Sequence, residues 1–161
     1  MPGYVIHLAI GKEYAKRNKI KDEESFFRGI IMPDLLDKKT SHYGDASSNP
    51  DLAEFLNTNA LDTEYNKGYF LHLITDYLFY NRFLNEFSQD IYGDYNKLNK
   101  FLIDKYGIEI PEELQGIVKF SEGEPTILDK NSICKFIEAV AGLDLEKIKG
   151  KRDFDDETFE K

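Results

Sequence analysis

Apolar residues in this chain recur at the three- and four-residue spacing of amphipathic helices, and no segment alternates convincingly with the period of two that marks a half-buried strand. The pattern predicts an all-α fold of about six or seven helices within a single domain over residues 1–150. A charged tail follows at residues 151–161, and we expect it to be frayed. With 161 residues the chain can bury one real core but is too short for two.

Proline, glycine and capping residues set the expected helix boundaries. The helices predicted in this way cover residues 4–17, 22–32, a segment starting near 50, 63–87, 94–106, 111–120 and 131–149. The second ends at Met32 because Pro33 disfavours the helical conformation in the residue before it. Residues 33–49 are polar and without period, so we expect a long loop there, and such loops in compact domains are usually functional or disordered.

The central helix, predicted to end at about Phe87, is the longest and carries the most unusual segment. From Tyr69 to Tyr80 it is apolar or aromatic on nearly every side, which predicts a helix buried nearly all round. His72 and Asp76 interrupt this segment one turn apart on one face. A buried imidazole and carboxylate cost several kcal/mol unless they pair or bind a cation. The spacing fits a structural hydrogen-bonded pair and a pair of metal ligands alike.

The charge balance narrows the partners that the protein can have. The net charge is −9, with 30 acidic and 21 basic residues, and there is no dense Lys/Arg patch interleaved with aromatic residues. This excludes nucleic-acid binding through the protein's own field. An anionic substrate is compatible with this charge if bound divalent cations make the site locally positive.

Cysteine usage and hydropathy bear on the compartment. The single cysteine, Cys134, allows no internal disulfide and is predicted to be a buried core thiol. No stretch is long and apolar enough for a transmembrane segment. The apolar segment 4–10 lacks a preceding basic region and a following small-residue cleavage site, so it is not predicted to be a signal peptide. These features are typical of a cytoplasmic protein.

All three histidines lie in the first half of the chain, at His7 on the apolar face of the first helix, His42 in the long loop and His72 in the central helix. Two aspartates accompany them: Asp34 directly after Pro33, and Asp76. Taken singly, His7 also fits a core histidine, His42 a solvated loop residue and Asp34 a turn residue. One metal site would explain all five positions together, and imidazole with carboxylate suits zinc, iron or manganese.

The order of these residues resembles that in the bacterial zinc-dependent phospholipase C family, whose all-helical fold has relatives among zinc-dependent single-strand nucleases. The matching elements are His7 in the first helix, Pro33-Asp34, the loop His42 and His-x-x-x-Asp at 72–76, within residues 1–85. The resemblance implies one metal held by Asp34, His42, His72 and Asp76. It also implies a second metal held by His7 and bridged to the first through Asp76.

We therefore expect one or two divalent ions, with zinc as the first choice. A third ion is not expected, because Arg82 stands where its first histidine would fall and no histidine follows. The predicted function is a metal-dependent phosphoesterase in which a metal-activated water attacks a small-molecule or lipid phosphoester. Asp34 is the candidate proton acceptor as well as a ligand, and Arg82, or Lys38 or Lys39 in the loop, is the candidate partner of the phosphate.

Two alternatives stay open at this stage. A His-Asp-type metal phosphohydrolase also places its ligands on a helical bundle, but it normally uses an adjacent His-Asp pair, which this sequence lacks. A non-catalytic helical binding or scaffold protein with a residual or structural ion is the other. The sequence leaves the substrate and the oligomeric state open.

Overall fold

The computed structural model describes residues 3–44, 46, 48–84 and 90–149, and in these ranges the chain is all-α with no strand, as predicted. The helices are α1 (Tyr4–Arg17), α2 (Glu23–Leu35), α3 (Lys38–Ser41), α4 (Leu52–Thr58), α5 (Glu64–Leu78), α6 (Ile91–Tyr106), α7 (Lys130–Ala141) and α8 (Leu145–Lys149). A π-helix (Phe79–Phe83) continues α5, and a 3₁₀ turn (Glu112–Leu114) follows α6. The tail predicted at 151–161 lies outside the described residues.

Helix α5 is the centre of the fold. Its residues from Gly68 to Asp76 are all buried, which confirms the prediction of a helix enclosed on nearly every side. Thr63 caps it, because its side chain accepts a hydrogen bond from the backbone N–H of Asn66. Helix α2 packs along α5, and α1 packs against α2, α6 and α7. None of the described helices is both long and apolar enough to cross a membrane.

Two glycines allow α2 and α5 to cross with their backbones in contact. A Cβ atom on Gly29 of α2 would overlap the carbonyl oxygen of Tyr65, and one on Gly68 of α5 would overlap that of Phe26. Because both obstacles are backbone atoms, a side-chain rotation cannot relieve either overlap. Glycine at both positions therefore sets the distance between these helices.

The second helix is longer than predicted. It continues past Met32 to Leu35 with Pro33 in its last turn, so Asp34 lies on a helix and not after one. The turn survives the missing proline N–H because Leu36 N–H donates to the carbonyl of Met32 at 3.0 Å. The predicted long loop is also interrupted by the short helix α3.

The central helix ends earlier than predicted. Regular α-helix stops at Leu78, the π-helix runs to Phe83, and Leu84 is extended. The N–H of Leu84 donates to the carbonyl of Phe79, five residues back, at 2.9 Å. The predicted end at Phe87 lies outside the described residues, and the helical run of α5 and the π-helix is about 30 Å long.

The second half agrees with the pattern in part. Helix α6 ends at Gly107, which has a left-handed φ of 65°, as predicted for a glycine stop. The predicted helix at 111–120 is wrong beyond its 3₁₀ turn. The chain there is held by α6 instead, since Asn99 donates through Nδ2 to the carbonyl of Lys119 and the carbonyl of Asn96 accepts from Ser121 N–H.

The last predicted helix is two helices. Asp129 caps α7 by accepting from Ser132 N–H, so this helix begins at Lys130, one residue before the predicted start at 131. It stops at Gly142, and α8 follows. Cys134 is 8% exposed within α7, which confirms the predicted buried thiol.

The close crossing predicts a sharp difference between two glycine positions. Gly68→Ala should lower the free energy of unfolding by roughly 3 kcal/mol or more, because α2 and α5 must move apart to admit the methyl group. Gly93→Ala in α6 is the matched control, since a Cβ there meets nothing within 4 Å. It should leave stability unchanged or raise it by up to about 1 kcal/mol. Urea unfolding measures both, and equal effects would contradict the backbone contact.

Candidate metal centre

The structure brings together all five residues that were predicted to bind metal. His7 comes from the second turn of α1, Asp34 from the last turn of α2, and His42 directly follows α3, while His72 and Asp76 face the same point from α5. All five are buried, with relative exposures of 8% for Asp34 and 1% or less for the others. Three helices and one loop thus place two carboxylates and three imidazoles in the core.

Asp76 is the hub of the cluster. Its Oδ2 lies 2.9 Å from His42 Nε2 and 3.2 Å from His72 Nε2, whereas its Oδ1 lies 3.1 Å from His7 Nε2. Asp34 Oδ1 lies 3.5 Å from both His42 Nε2 and His72 Nε2. The rings of His7 and His72 stack with centroids 3.6 Å apart and planes 4° from parallel. The two oxygens of Asp76 therefore serve different sets of histidines.

Hydrogen bonds outside the cluster orient two of the imidazoles. His72 Nδ1 lies 2.6 Å from the carbonyl oxygen of Ile30, which can only accept, so Nδ1 carries the hydrogen. His42 Nδ1 lies 2.9 Å from Ser41 Oγ, whose own hydrogen goes to the carbonyl of Pro33 at 2.7 Å. His42 Nδ1 therefore donates as well. In their neutral forms both rings present the Nε2 lone pair to the carboxylates.

The inward-facing atoms lack the hydrogen bonds that buried polar groups normally make. In the described part of the chain, the Nε2 atoms of His7, His42 and His72 and all four oxygens of Asp34 and Asp76 are buried without a hydrogen bond of acceptable direction. The four carboxylate–imidazole distances among Asp34, His42, His72 and Asp76 are 2.9–3.5 Å, close to the roughly 3.3 Å between ligands that surround one ion tetrahedrally at zinc bond lengths.

This donor set fits a divalent metal ion. Asp34, His42, His72 and Asp76 each offer one ligand atom, and these atoms lie within 4.8 Å of one another. Imidazole nitrogen and carboxylate oxygen are ligand types that zinc and other transition metals accept. His7 is outside this set of four but faces the second oxygen of Asp76, which is where a ligand of a bridged second ion is expected.

Without metal, protons hold the cluster together. Burial by itself would lower the pKa of His72, but the charges of Asp34 and Asp76 outweigh it and raise the pKa to about 10. Burial likewise opposes the charged form of Asp76, yet His72 and His7 hold its pKa well below the usual value. The pKa of His7 is lowered by burial and by the adjacent His72, so the two stacked rings do not share equal charge.

The site lies beneath the surface and does not open widely to it. The side chain of Asp34 has 0% exposure, although the whole residue is 8% exposed, so the candidate proton acceptor does not lie at an exposed edge. The partly exposed Tyr4 donates through its hydroxyl to the backbone carbonyl of Asp34 at 3.0 Å. Solvent therefore comes within one residue of the cluster at this point.

Other predicted residues are placed elsewhere. Arg82 has an exposed side chain on the π-helix and lines a cavity with Phe83, Phe136 and Val140, apart from the cluster. The side chains of Lys38 and Lys39 lie outside the described part of the structure. The sequence did not predict that Ser41 and the carbonyl of Ile30 orient the imidazoles. The contact with Ile30 could not be found from residue type, because every residue carries a backbone carbonyl group.

Comparison with known proteins assigns the chain to no family. No family model, no curated protein and no solved structure matches the chain. The case for a metal centre therefore rests on the side chains themselves.

We predict that the protein purified without chelator carries a stoichiometric transition metal. Asp76→Asn should weaken metal binding by roughly 100-fold or more, because the substituted residue loses the charge and one of the two oxygens at the hub of the cluster. Thr75→Val is the matched control, since Thr75 is buried on the same helix and its hydroxyl donates to the carbonyl of Leu71. Elemental analysis and metal titration measure both, and retention of the ion by the Asp76 variant would contradict this assignment.

The metal-free protein should lose stability as pH rises from about 6.5. The pKa of His72 is raised from 6.5 to about 10, so its charge stabilises the fold fully below pH 6.5 and less as pH approaches 10. The metal-loaded protein should not show this decline, because a ligating Nε2 carries no proton. Urea unfolding between about pH 6.5 and 9, with chelator or with metal, measures the difference. A flat or rising profile in chelator would exclude the protonated cluster.

Proposed function

We propose that this protein is a metal-dependent phosphoesterase, with zinc as its ion and a phosphodiester or phospholipid-like molecule as its substrate. The observation that carries the proposal is the buried set of two Nε2 atoms and two carboxylates that lack hydrogen bonds to one another. Such a set is costly as a purely structural feature, whereas a divalent ion would satisfy every member.

The bound ion would supply an activated water, because a divalent metal lowers the pKa of its water ligand towards neutrality. Asp34 is placed to take the proton of such a water. Its Oδ1 faces His42 and His72, while its Oδ2 is a buried oxygen with no hydrogen-bond partner among the described residues. One carboxylate group can thus bind with one oxygen and accept a proton with the other.

Charge supports an anionic substrate despite the acidic chain. One divalent ion would neutralise the carboxylates of Asp34 and Asp76, and a second at His7 would leave the centre positive. The site would then attract phosphate within a protein of net charge −9. Arg82 remains a predicted phosphate partner. Its side chain lines a cavity apart from the cluster, so it would contact only a substrate that extends beyond the metal ligands.

The resemblance to the zinc-dependent phospholipase C family supports the reaction class. It rests on His7, Pro33-Asp34, His42 and the His72-x-x-x-Asp76 spacing, and each of these side chains except Pro33 lies in the cluster. A phosphorus centre suits two neighbouring cations because they stabilise both the attacking and the leaving oxygen.

A binding or scaffold protein with a structural ion is the second candidate, and one observation favours it. The ligand side chains of Asp34, His42, His72 and Asp76 all have 0% exposure, as in a closed structural site. A catalytic role requires a path by which substrate reaches the cluster. We expect this path where the partly exposed Tyr4 lies over Asp34. The His-Asp-type phosphohydrolase has no such support, because its adjacent His-Asp pair is missing.

Activity assays separate these candidates. Zinc-loaded protein should hydrolyse a chromogenic phosphodiester or a short-chain phospholipid, lose that activity in chelator and recover it with zinc. Asp34→Asn should lower kcat by roughly 100-fold or more, because the amide cannot accept the proton. The Thr75→Val variant should keep its activity. A folded, zinc-bound wild-type protein that hydrolyses neither substrate would favour the scaffold instead.

A further inference from the structure

Tyr95 in α6 carries a buried hydroxyl group that the fold leaves unused. The residue is only 6% exposed, and its hydroxyl oxygen is buried without a hydrogen-bond partner among the described residues. Buried tyrosine hydroxyls usually find a partner, because an unpaired one is unfavourable in the core. Tyr106, on the same helix, follows this rule by donating to Glu138 Oε2 at 3.3 Å. Tyr95 is thus an exception to this rule among the described residues, and its hydroxyl is free to donate to a bound ligand.

Two neighbours of Tyr95 lie close in sequence to the cluster residues His7 and Asp76. Its Cβ would lie 3.3 Å from a Cβ on Gly3, and the carbonyl of Gly3 accepts from the backbone N–H of His7, one turn further along α1. Its ring also lies near Phe79, with centroids 6.3 Å apart, and Phe79 N–H donates to the carbonyl of Asp76. Tyr95 thus packs between the turn that precedes His7 and the turn that follows Asp76.

The charge state of Tyr95 suits a hydrogen-bond donor. Burial chiefly, and then the charges of Tyr92, Asp76 and Asp34, raise the pKa of its hydroxyl. The group keeps its proton at neutral pH and can donate to an anion without becoming one. Asp94, the preceding residue, is occupied elsewhere, because its carboxylate accepts from the backbone N–H groups of residues 126–128.

We propose that the Tyr95 hydroxyl donates a hydrogen bond to an oxygen of the phosphate group bound at the metal centre, and so positions the substrate from α6. This inference rests on the proposed phosphoester function, because it takes a phosphate oxygen as the acceptor. It also gives the second half of the chain a part in the site, whereas all predicted metal ligands come from the first half. Tyr95 acts here as a substrate-positioning residue and not as a metal ligand.

The test is binding of inorganic phosphate to the metal-loaded protein, which requires no turnover. Tyr95→Phe removes only the hydroxyl oxygen, so metal affinity and melting temperature should stay the same or rise slightly. Its Kd for phosphate should increase about tenfold, as expected for the loss of a hydrogen bond to a charged group. Calorimetry, or the visible spectrum of cobalt-substituted protein, reports both affinities.

Tyr106→Phe is the matched control, because it removes a hydroxyl from the same helix roughly 16 Å along the axis. It should bind metal and phosphate as the wild type does and lose some stability. Equal phosphate affinity in wild type and Tyr95→Phe would overturn the proposal, and so would wild-type metal-loaded protein that binds no phosphate. A parallel loss of metal affinity and stability in Tyr95→Phe would show a structural role and overturn it too. A tenfold phosphate effect in a protein that hydrolyses nothing would support Tyr95 while excluding the esterase.

Discussion

The contact between the backbones of α2 and α5 is the constraint on which the centre depends. Gly29 and Gly68 let the two helices approach until main chain meets main chain. At this distance the carbonyl of Ile30 reaches Nδ1 of His72 at 2.6 Å and fixes which nitrogen faces inward. The same approach brings Asp34, on the last turn of α2, to within 3.5 Å of His72 Nε2. A wider crossing would separate the carboxylate from the imidazole and release the ring.

The cluster carries a cost in stability that whatever occupies it must offset. Five titratable side chains in a core cost free energy, and the fold tolerates them because protons or a cation can occupy the space between them. A proton and a metal ion exclude each other at His72 Nε2, because this nitrogen has one lone pair and cannot bind both. Binding of a metal ion would therefore replace the electrostatic network of the metal-free protein. The charges of Asp34 and Asp76 raise the pKa of His72, so a metal ion that binds Nε2 would have to displace a proton that the carboxylates favour.

The sequence was most informative where the type of a single residue is unusual for its surroundings. His72 and Asp76 stood out because polar groups inside an apolar helix require a partner, and the structure places that helix in the core. Pro33 misled the prediction, since a proline in the last turn loses only one hydrogen bond and the helix could continue to Leu35. The π-helix and the position of Tyr95 depend on packing between distant segments. Helical periodicity relates residues of one helix only, so it could not locate a hydroxyl on another.

The span of the predicted ligands along the chain has a topological consequence. An ion held by Asp34 and Asp76 would join two points 42 residues apart in a chain whose single cysteine cannot form an internal disulfide. It would act as a cross-link that restricts the unfolded ensemble wherever the ligands stay bound. For a disulfide closing a loop of this length, the chain-entropy model gives roughly 4 kcal/mol. An ion bound at the cluster would thus also act as a cross-link that closes the first half of the chain.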